Sequence, residues 1–273
     1  MNQNPVQVRS HQRFSTVVRA ELRRHLSSRR HLVRLALIAA AGLLAGMGAL
    51  AFVASFDPEG AAATGGSVPT AMETAGGVVA ILLGLSALGA AAAETSDGTV
   101  LSSLLLVPDR RRLLAARAVA PMVIGEVTAL TAAGAVLAGG LAMSGGSRID
   151  LGVVALSLLA IAVAAPLTAL LGFLTGTLVR RGAPAMAIAM FALLVLPLAV
   201  GAAQLAAPPA LGPALGYALQ ATPGVAVLQS LSVSAANQGP VPVALTGLAV
   251  LAGWVAIVAV GASVQFRREG QTA

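Results

Sequence analysis

The residues that could do chemistry in this chain are few, and most of them are arginine or an acidic residue. All 17 basic residues are Arg, and the sequence contains neither Lys nor Cys. A phosphate-binding P-loop and Schiff-base catalysis both need Lys, and thiolate metal sites and disulfides need Cys. The three His residues lie within the first 31 positions and lack the i, i+4 spacing of a helical zinc pair. We therefore expect no catalytic centre, no metal and no cofactor.

The densest group of ionisable residues lies between positions 94 and 117. Glu94 comes first, a Gly-Thr pair and a Leu-rich stretch follow, and Pro108 and Asp109 precede four Arg residues: Arg110, Arg111, Arg112 and Arg117. Pro108 suits the first turn of a helix, and Asp109 favours that helix start electrostatically. The pattern predicts a short helix that exposes Arg to water and lays Leu113 and Leu114 against the membrane or a partner. The alternative is an Arg-rich loop that only fixes topology.

The first 34 residues form a polar and basic leader in which apolar residues fall on one helical face. Phe14, Val18, Leu22 and Leu26 share this face, and Glu21 lies between them in sequence. The spacing predicts an amphipathic helix on the membrane surface. A solvated basic leader and a cleaved signal peptide are the alternatives, although the leader is long for a charged n-region.

The elements that must position these residues are long apolar blocks. The sequence is 57% hydrophobic and 10% charged, whereas a soluble domain carries about 25% charged residues. Blocks of about 20 apolar residues match the thickness of a bilayer. The chain is therefore predicted to be an all-α, polytopic membrane protein with a cytoplasmic tail at 264–273 and six transmembrane helices at about 35–54, 71–93, 118–143, 151–179, 183–203 and 241–263.

The segment 204–240 does not fit a seventh span. It contains five Pro residues, and only two short semi-apolar pieces, 214–220 and 225–233, lie between them. Pieces of that length suit a re-entrant or interfacial hairpin better than a crossing. We expect such a hairpin before the last span.

The Arg positions predict the orientation. With six spans, 16 of the 17 Arg fall on the side of both termini, and only Arg148 falls opposite. The positive-inside rule then places both termini in the cytoplasm, as expected for a protein of the inner (cytoplasmic) membrane. The net charge of +7 comes from Arg residues that flank the apolar spans. A lipid bilayer explains such Arg residues better than nucleic acid does, so no nucleic-acid partner is expected.

Two acidic residues lie inside predicted spans: Glu73 is near the outer end of the second span, whereas Glu126 is deeper in the third. Glu126 is about eight residues into the third span, or roughly 12 Å from its cytoplasmic end. An ionisable group at this depth is a candidate for the transport pathway. A hydrogen-bonded structural Glu is the alternative.

The run from Glu94 to Arg117 resembles the signature of ABC-2 type ABC transporter permeases, although Arg117 stands where a Lys is common. Glu21-Leu22-Arg23-Arg24 resembles the N-terminal surface helix of that family. The resemblance implies that two permease subunits pair, as a homodimer or heterodimer, and bind cytoplasmic ATPase subunits encoded elsewhere. The chain itself would then not be an enzyme. Glu94 would be the motif acid, and a coupling helix would contact the ATPase through Pro108, Arg110, Arg111, Arg112, Leu113 and Leu114.

The expected activity is ATP-driven export, and the apolar, Ala-rich spans favour an amphiphilic substrate. A secondary transporter is an alternative, but it would need more ionisable residues near the midplane. An intramembrane enzyme and a non-transporting membrane scaffold are further alternatives.

Overall fold

The computed structural model describes residues 14–56, 67–96, 110–143, 149–179, 181–233 and 243–268. Within these ranges every regular element is helical, and six helices are long and apolar enough to cross a membrane. The prediction of an all-α chain with six such helices is thereby confirmed. The elements are α1 (Phe14–Ser27), α2 (Arg29–Phe56), α3 (Ser67–Ser96), α4 (Arg110–Met143), α5 (Leu151–Val179), α6 (Gly182–Met190), a π-helical turn (Phe191–Val195), α7 (Leu196–Ala206), α8 (Gly212–Gln220), α9 (Pro223–Leu231) and α10 (Val243–Arg268). The six long helices are α2, α3, α4, α5, the continuous stretch from α6 to α7, and α10.

Helices α3 and α5 form the centre of the bundle, and glycine lets them approach closely. A Cβ at Gly172 of α5 would overlap the carbonyl oxygen of Gly84 in α3, and one at Gly176 would overlap that of Leu88. Close approach through small residues is the usual way in which helices pack within a membrane. Gly172 and Gly176 form a GxxxG pair, and Gly42 and Gly46 of α2 form a second one. A Cβ at Gly46 would lie 2.9 Å from the Ala71 oxygen of α3.

The described part of the predicted coupling helix, from Arg110 onward, and the third span form one helix, α4. The sequence predicted instead a short helix followed by a separate span from 118. The residues that join the two parts are mainly Leu, Ala and Arg, which are strong helix formers. Pro121 lies inside the helix without breaking it, but it has no N–H to donate to the carbonyl of Arg117, four residues earlier.

The fifth long helix changes its hydrogen-bonding pattern before Pro197. Because Pro197 cannot donate to the Leu193 carbonyl, the chain forms a π-helical turn at Phe191–Val195, and Leu193 lies within it. Gly224 of α9 packs directly on the Leu193 carbonyl, where an added Cβ would overlap the oxygen.

Two short helices, α8 and α9, occupy the segment predicted as a hairpin. Each has nine residues, or about 14 Å of helix, which is too short to cross a bilayer. Trp254 of α10 donates from Nε1 to the Ala221 carbonyl in the turn between them, at 2.8 Å. At the other end of α9, the Val233 N–H donates to Glu73 Oε1 at 3.1 Å.

Glu73 is a buried acidic residue of α3 that connects the end of α9 with α5. It is 8% exposed, and its Oε1 also accepts a hydrogen bond from Ser157 Oγ at 2.9 Å. A buried carboxylate needs such donors. Glu73 therefore contributes to helix packing.

Candidate functional site

Three elements meet at the end of the bundle where the Arg residues are concentrated. They are α1, the last turns of α3 and the first turns of α4. Glu21 and Arg24 lie one turn apart on α1, Glu94 lies near the end of α3, and Arg117 lies two turns into α4. We call Glu21, Arg24, Glu94 and Arg117 the ion-pair joint.

The joint alternates acidic and basic groups. Arg24 Nη2 lies 2.8 Å from Glu94 Oε1, and Arg24 Nη1 lies 3.5 Å from Glu21 Oε2. Arg117 Nε donates to Glu21 Oε1 at 3.4 Å, and Arg117 Nη1 lies 3.5 Å from Glu94 Oε2. Each carboxylate therefore contacts both guanidinium groups, and the two positive and two negative charges balance.

Burial differs sharply between the two Arg residues of the joint. The Arg117 side chain is 7% exposed and the Arg24 side chain is 50% exposed, whereas Glu21 and Glu94 are 13% and 19% exposed. A buried charge is tolerated only when it is paired and hydrogen-bonded. Arg117 is therefore the inner residue, and its burial depends on the two carboxylates.

An apolar cluster lies next to the ion-pair joint, between α1 and α4. Val17 of α1 is buried against Leu113 and Ala116 of α4, and Val18 packs on the same cluster. Val17 and Glu21 are four residues apart and so lie on one face of α1. Helix α1 thus contacts α4 through an apolar pair and an ion pair one turn apart.

A small cavity of about 20 Å³ adjoins the joint. Glu21, Glu94, Arg117 and Pro121 are among the residues that line it. A volume of this size holds about one water molecule.

Comparison with models of protein families finds no match, and comparison with curated proteins finds none either.

The residues predicted to contact an ATPase have different surroundings. Pro108 lies outside the described residues. The backbone of Arg110, Arg111 and Arg112 forms the start of α4, but their side chains are not described. Leu113 is 2% exposed and packs against α1. Leu114 is half-buried against Ala87, Ala91 and Phe173. In this conformation the two Leu side chains contact the chain's own helices.

The residues predicted for the interfacial helix lie on α1. Val18, Glu21 and Leu22 are half-buried, whereas Phe14 and Leu26 are exposed. The middle of α1 therefore packs on the bundle, whereas the apolar side chains near its two ends are not covered by the described part of the chain.

Glu126 is half-buried on α4, and the structure gives it no hydrogen bond or ion pair within the described part of the chain. Its neighbours Val123 and Val127 are exposed. The side chain lies at the edge of the bundle, away from the ion-pair joint.

The sequence indicated Glu94 and Arg117 as motif residues and Glu21 as part of the leader, but it did not indicate that they contact one another. In the sequence, Arg24 lies off the apolar face of the predicted amphipathic helix and has no indicated partner. One feature of the sequence did mark Glu21 as unusual, because it is the single acidic residue in the first 34 positions. In the described part of the chain, no group of three or more His, Asp or Glu side chains could hold a metal ion.

Proposed function

We propose that this chain is the membrane-spanning permease subunit of an ABC-2 type ABC transporter. A second permease subunit, identical or different, would complete the pathway, and separate cytoplasmic ATPase subunits would drive export of an amphiphilic substrate. The ion-pair joint is the observation that carries the proposal. It connects the three elements in which the family resemblance lies, the leader, the end of the second span and the coupling segment.

A permease driven by a separate motor needs a stiff connection between its cytoplasmic surface and its spans. Arg117 is held by carboxylates from α1 and α3, and Leu113 is buried against α1. A force applied to the start of α4 would therefore act on α1 and α3 together. This supports a coupling role for segment 108–117 over that of a loop that only fixes topology.

The remaining parts of the proposal concern the membrane. We place α1 at the cytoplasmic surface, because its uncovered apolar residues, Phe14 and Leu26, suit a lipid interface. We place α8 and α9 as a re-entrant hairpin entering from the opposite side. Trp254 lies 11 residues after the start of α10, so the hairpin tip that it contacts reaches about 16 Å along that helix, near the middle of a bilayer.

Co-purification of the partner tests the proposal. The affinity-tagged full chain should retain a P-loop ATPase when purified from its native membrane in mild detergent, and the complex should hydrolyse ATP. Replacing Arg110, Arg111 and Arg112 together with Gln should abolish this retention, because the start of α4 would lose its charged contacts with the partner.

The matched control replaces Arg29 and Arg30 with Gln, since both are exposed at the start of α2 and lie outside the coupling segment. This control should retain the ATPase. Leu113 is unsuitable as a test position, because its replacement would also disturb the packing of α1. Absence of a P-loop ATPase from the purified chain, or equal retention by all variants, would contradict the proposal.

A further inference from the structure

A cleft of about 800 Å³ opens beside the ion-pair joint. It lies where the turn between α1 and α2 faces α3 and the start of α6. This volume is in the range of sites that bind small molecules, about 300 to 1,000 Å³. The joint borders it through Arg24 and Glu94, but most of the lining belongs to other residues.

One end of the cleft is polar and carries an excess of positive charge. Arg24, His25, His31 and Arg34 line it, together with Ser28 and Ser86, and Glu94 is the carboxylate among the lining residues. Glu94 is engaged by Arg24 and Arg117. The charge of Arg34 is therefore left uncompensated within the described residues.

Arg34 is well placed to bind an anion. Its side chain is exposed, and Nη1 lies 3.4 Å from Ser86 Oγ across the cleft. A guanidinium group presents a planar set of donors that matches phosphate oxygens, and the Ser86 hydroxyl supplies a further donor at the same place. The edge-to-face pair of His25 and His31, with ring centroids 4.8 Å apart, adds imidazole groups on the same side.

The other end of the cleft is apolar and extends further into the bundle. Ile38 lies one turn beyond Arg34 on α2, and Leu82 lies one turn beyond Ser86 on α3. One helical turn is about 5.4 Å. Met186 of α6 lines the cleft near Gly89 of α3, about one turn from Ser86 toward the ion-pair joint. The lining thus changes from cationic to apolar along the direction in which both helices enter the membrane.

We propose that this cleft binds an anionic phospholipid of the adjacent leaflet, with its phosphate at Arg34 and Ser86 and an acyl chain along Ile38 and Leu82. The order of polar and apolar lining reproduces the order of headgroup and chain in a bilayer. A water-soluble phosphate compound would leave the apolar end unfilled. The inference requires only that the helices span a membrane and does not depend on an ATPase partner.

Native mass spectrometry of the full chain in detergent tests the site with two probes, phosphatidylglycerol and phosphatidylcholine. The parent protein should retain phosphatidylglycerol about tenfold more strongly, because the net negative headgroup meets an uncompensated guanidinium. Arg34→Gln should remove this preference. Arg30→Gln is the matched control, since Arg30 is exposed one turn earlier and does not line the cleft, and it should keep the preference.

A second variant fills the cleft without removing charge. A Cβ at Gly89 would meet only Met186 Cε, at 3.8 Å, so Gly89→Leu should fold normally and lower the retention of both lipids. Equal retention of the two lipids by the parent would overturn the proposal, as would unchanged selectivity in Arg34→Gln or an equal loss in Arg30→Gln. Displacement of the lipid by millimolar inorganic phosphate would show a simple anion site instead and would also overturn it.

Discussion

Replacement of Arg117 is the sharpest test of the ion-pair joint. Arg117→Met removes the charge but keeps a long apolar stem, so Arg24 becomes the one remaining cation of the ion-pair joint. Breaking a buried ion pair costs about 3 to 5 kcal/mol. We take the lower end, about 3 kcal/mol, because both carboxylates keep some exposure and Arg24 remains. That value corresponds to roughly a hundredfold rise in the equilibrium for opening α1 from α4.

Arg24→Met is the control. Judged by ion-pair distance alone, its effect on stability would be expected to exceed that of Arg117→Met, but burial reverses this order. Arg24 makes the shortest ion pair of the joint, at 2.8 Å. Its side chain is half exposed, however, and exposed pairs contribute about 0 to 1 kcal/mol. We therefore expect at most about a fivefold effect from Arg24→Met.

Hydrogen–deuterium exchange of the purified full chain measures these effects directly. Amides of α1 should exchange roughly a hundredfold faster in Arg117→Met and only a few-fold faster in Arg24→Met, because exchange reports local opening. A double-mutant cycle with Glu21→Gln should show coupling of about 1 to 2 kcal/mol. Equal exchange in the two Arg variants, or no coupling with Glu21, would refute the assignment of Arg117 as the inner residue.

Two further predictions concern helix packing and topology. Gly172→Ala should destabilise the detergent-solubilised protein by about 1 to 3 kcal/mol, because the added methyl group overlaps the Gly84 carbonyl. Gly134→Ala, which meets open space, should be neutral or stabilising by up to about 1 kcal/mol. Thermal unfolding would compare the two, and equal effects would contradict the α3–α5 contact. Reporter fusions after Ser234 and after Ala273 should lie outside and inside the cell, respectively, whereas the same side for both would exclude the six-span topology.

The sequence was sufficient to predict the six long helices because each apolar block is as long as a bilayer is thick. It was also sufficient for the two short pieces around Pro223, since the Pro residues limit their length. The GxxxG pair at Gly172 and Gly176 indicated close packing but not its partner. That partner, the backbone of Gly84 and Leu88, depends on which helices are adjacent.

The ion-pair joint could not be predicted, because its members are far apart in sequence. Glu21 and Arg117 are separated by 96 positions, and no local pattern relates them. The i, i+3 spacing of Glu21 and Arg24 was visible on a helix, but the sequence alone made Arg24 a solvated residue. The surroundings of Leu113 could not be predicted either, because they also depend on contacts between distant parts of the sequence. Its apolar side chain indicated burial, and only the fold shows that α1 rather than another protein covers it.

The position of Pro121 connects the joint with movement of the spans. Because Pro121 has no N–H to donate within α4, the helix bends more easily there, just beyond the ion-pair joint. A displacement of the coupling segment would therefore move α1 and the start of α4 together and bend α4 near Pro121. Under the proposed function, the ion pairs of Arg117 would keep α1 and the start of α4 together, and Pro121 would be the point at which α4 bends. Under the proposed function, a movement of the ATPase subunit that displaces the start of α4 at Arg110 would therefore tilt the third span.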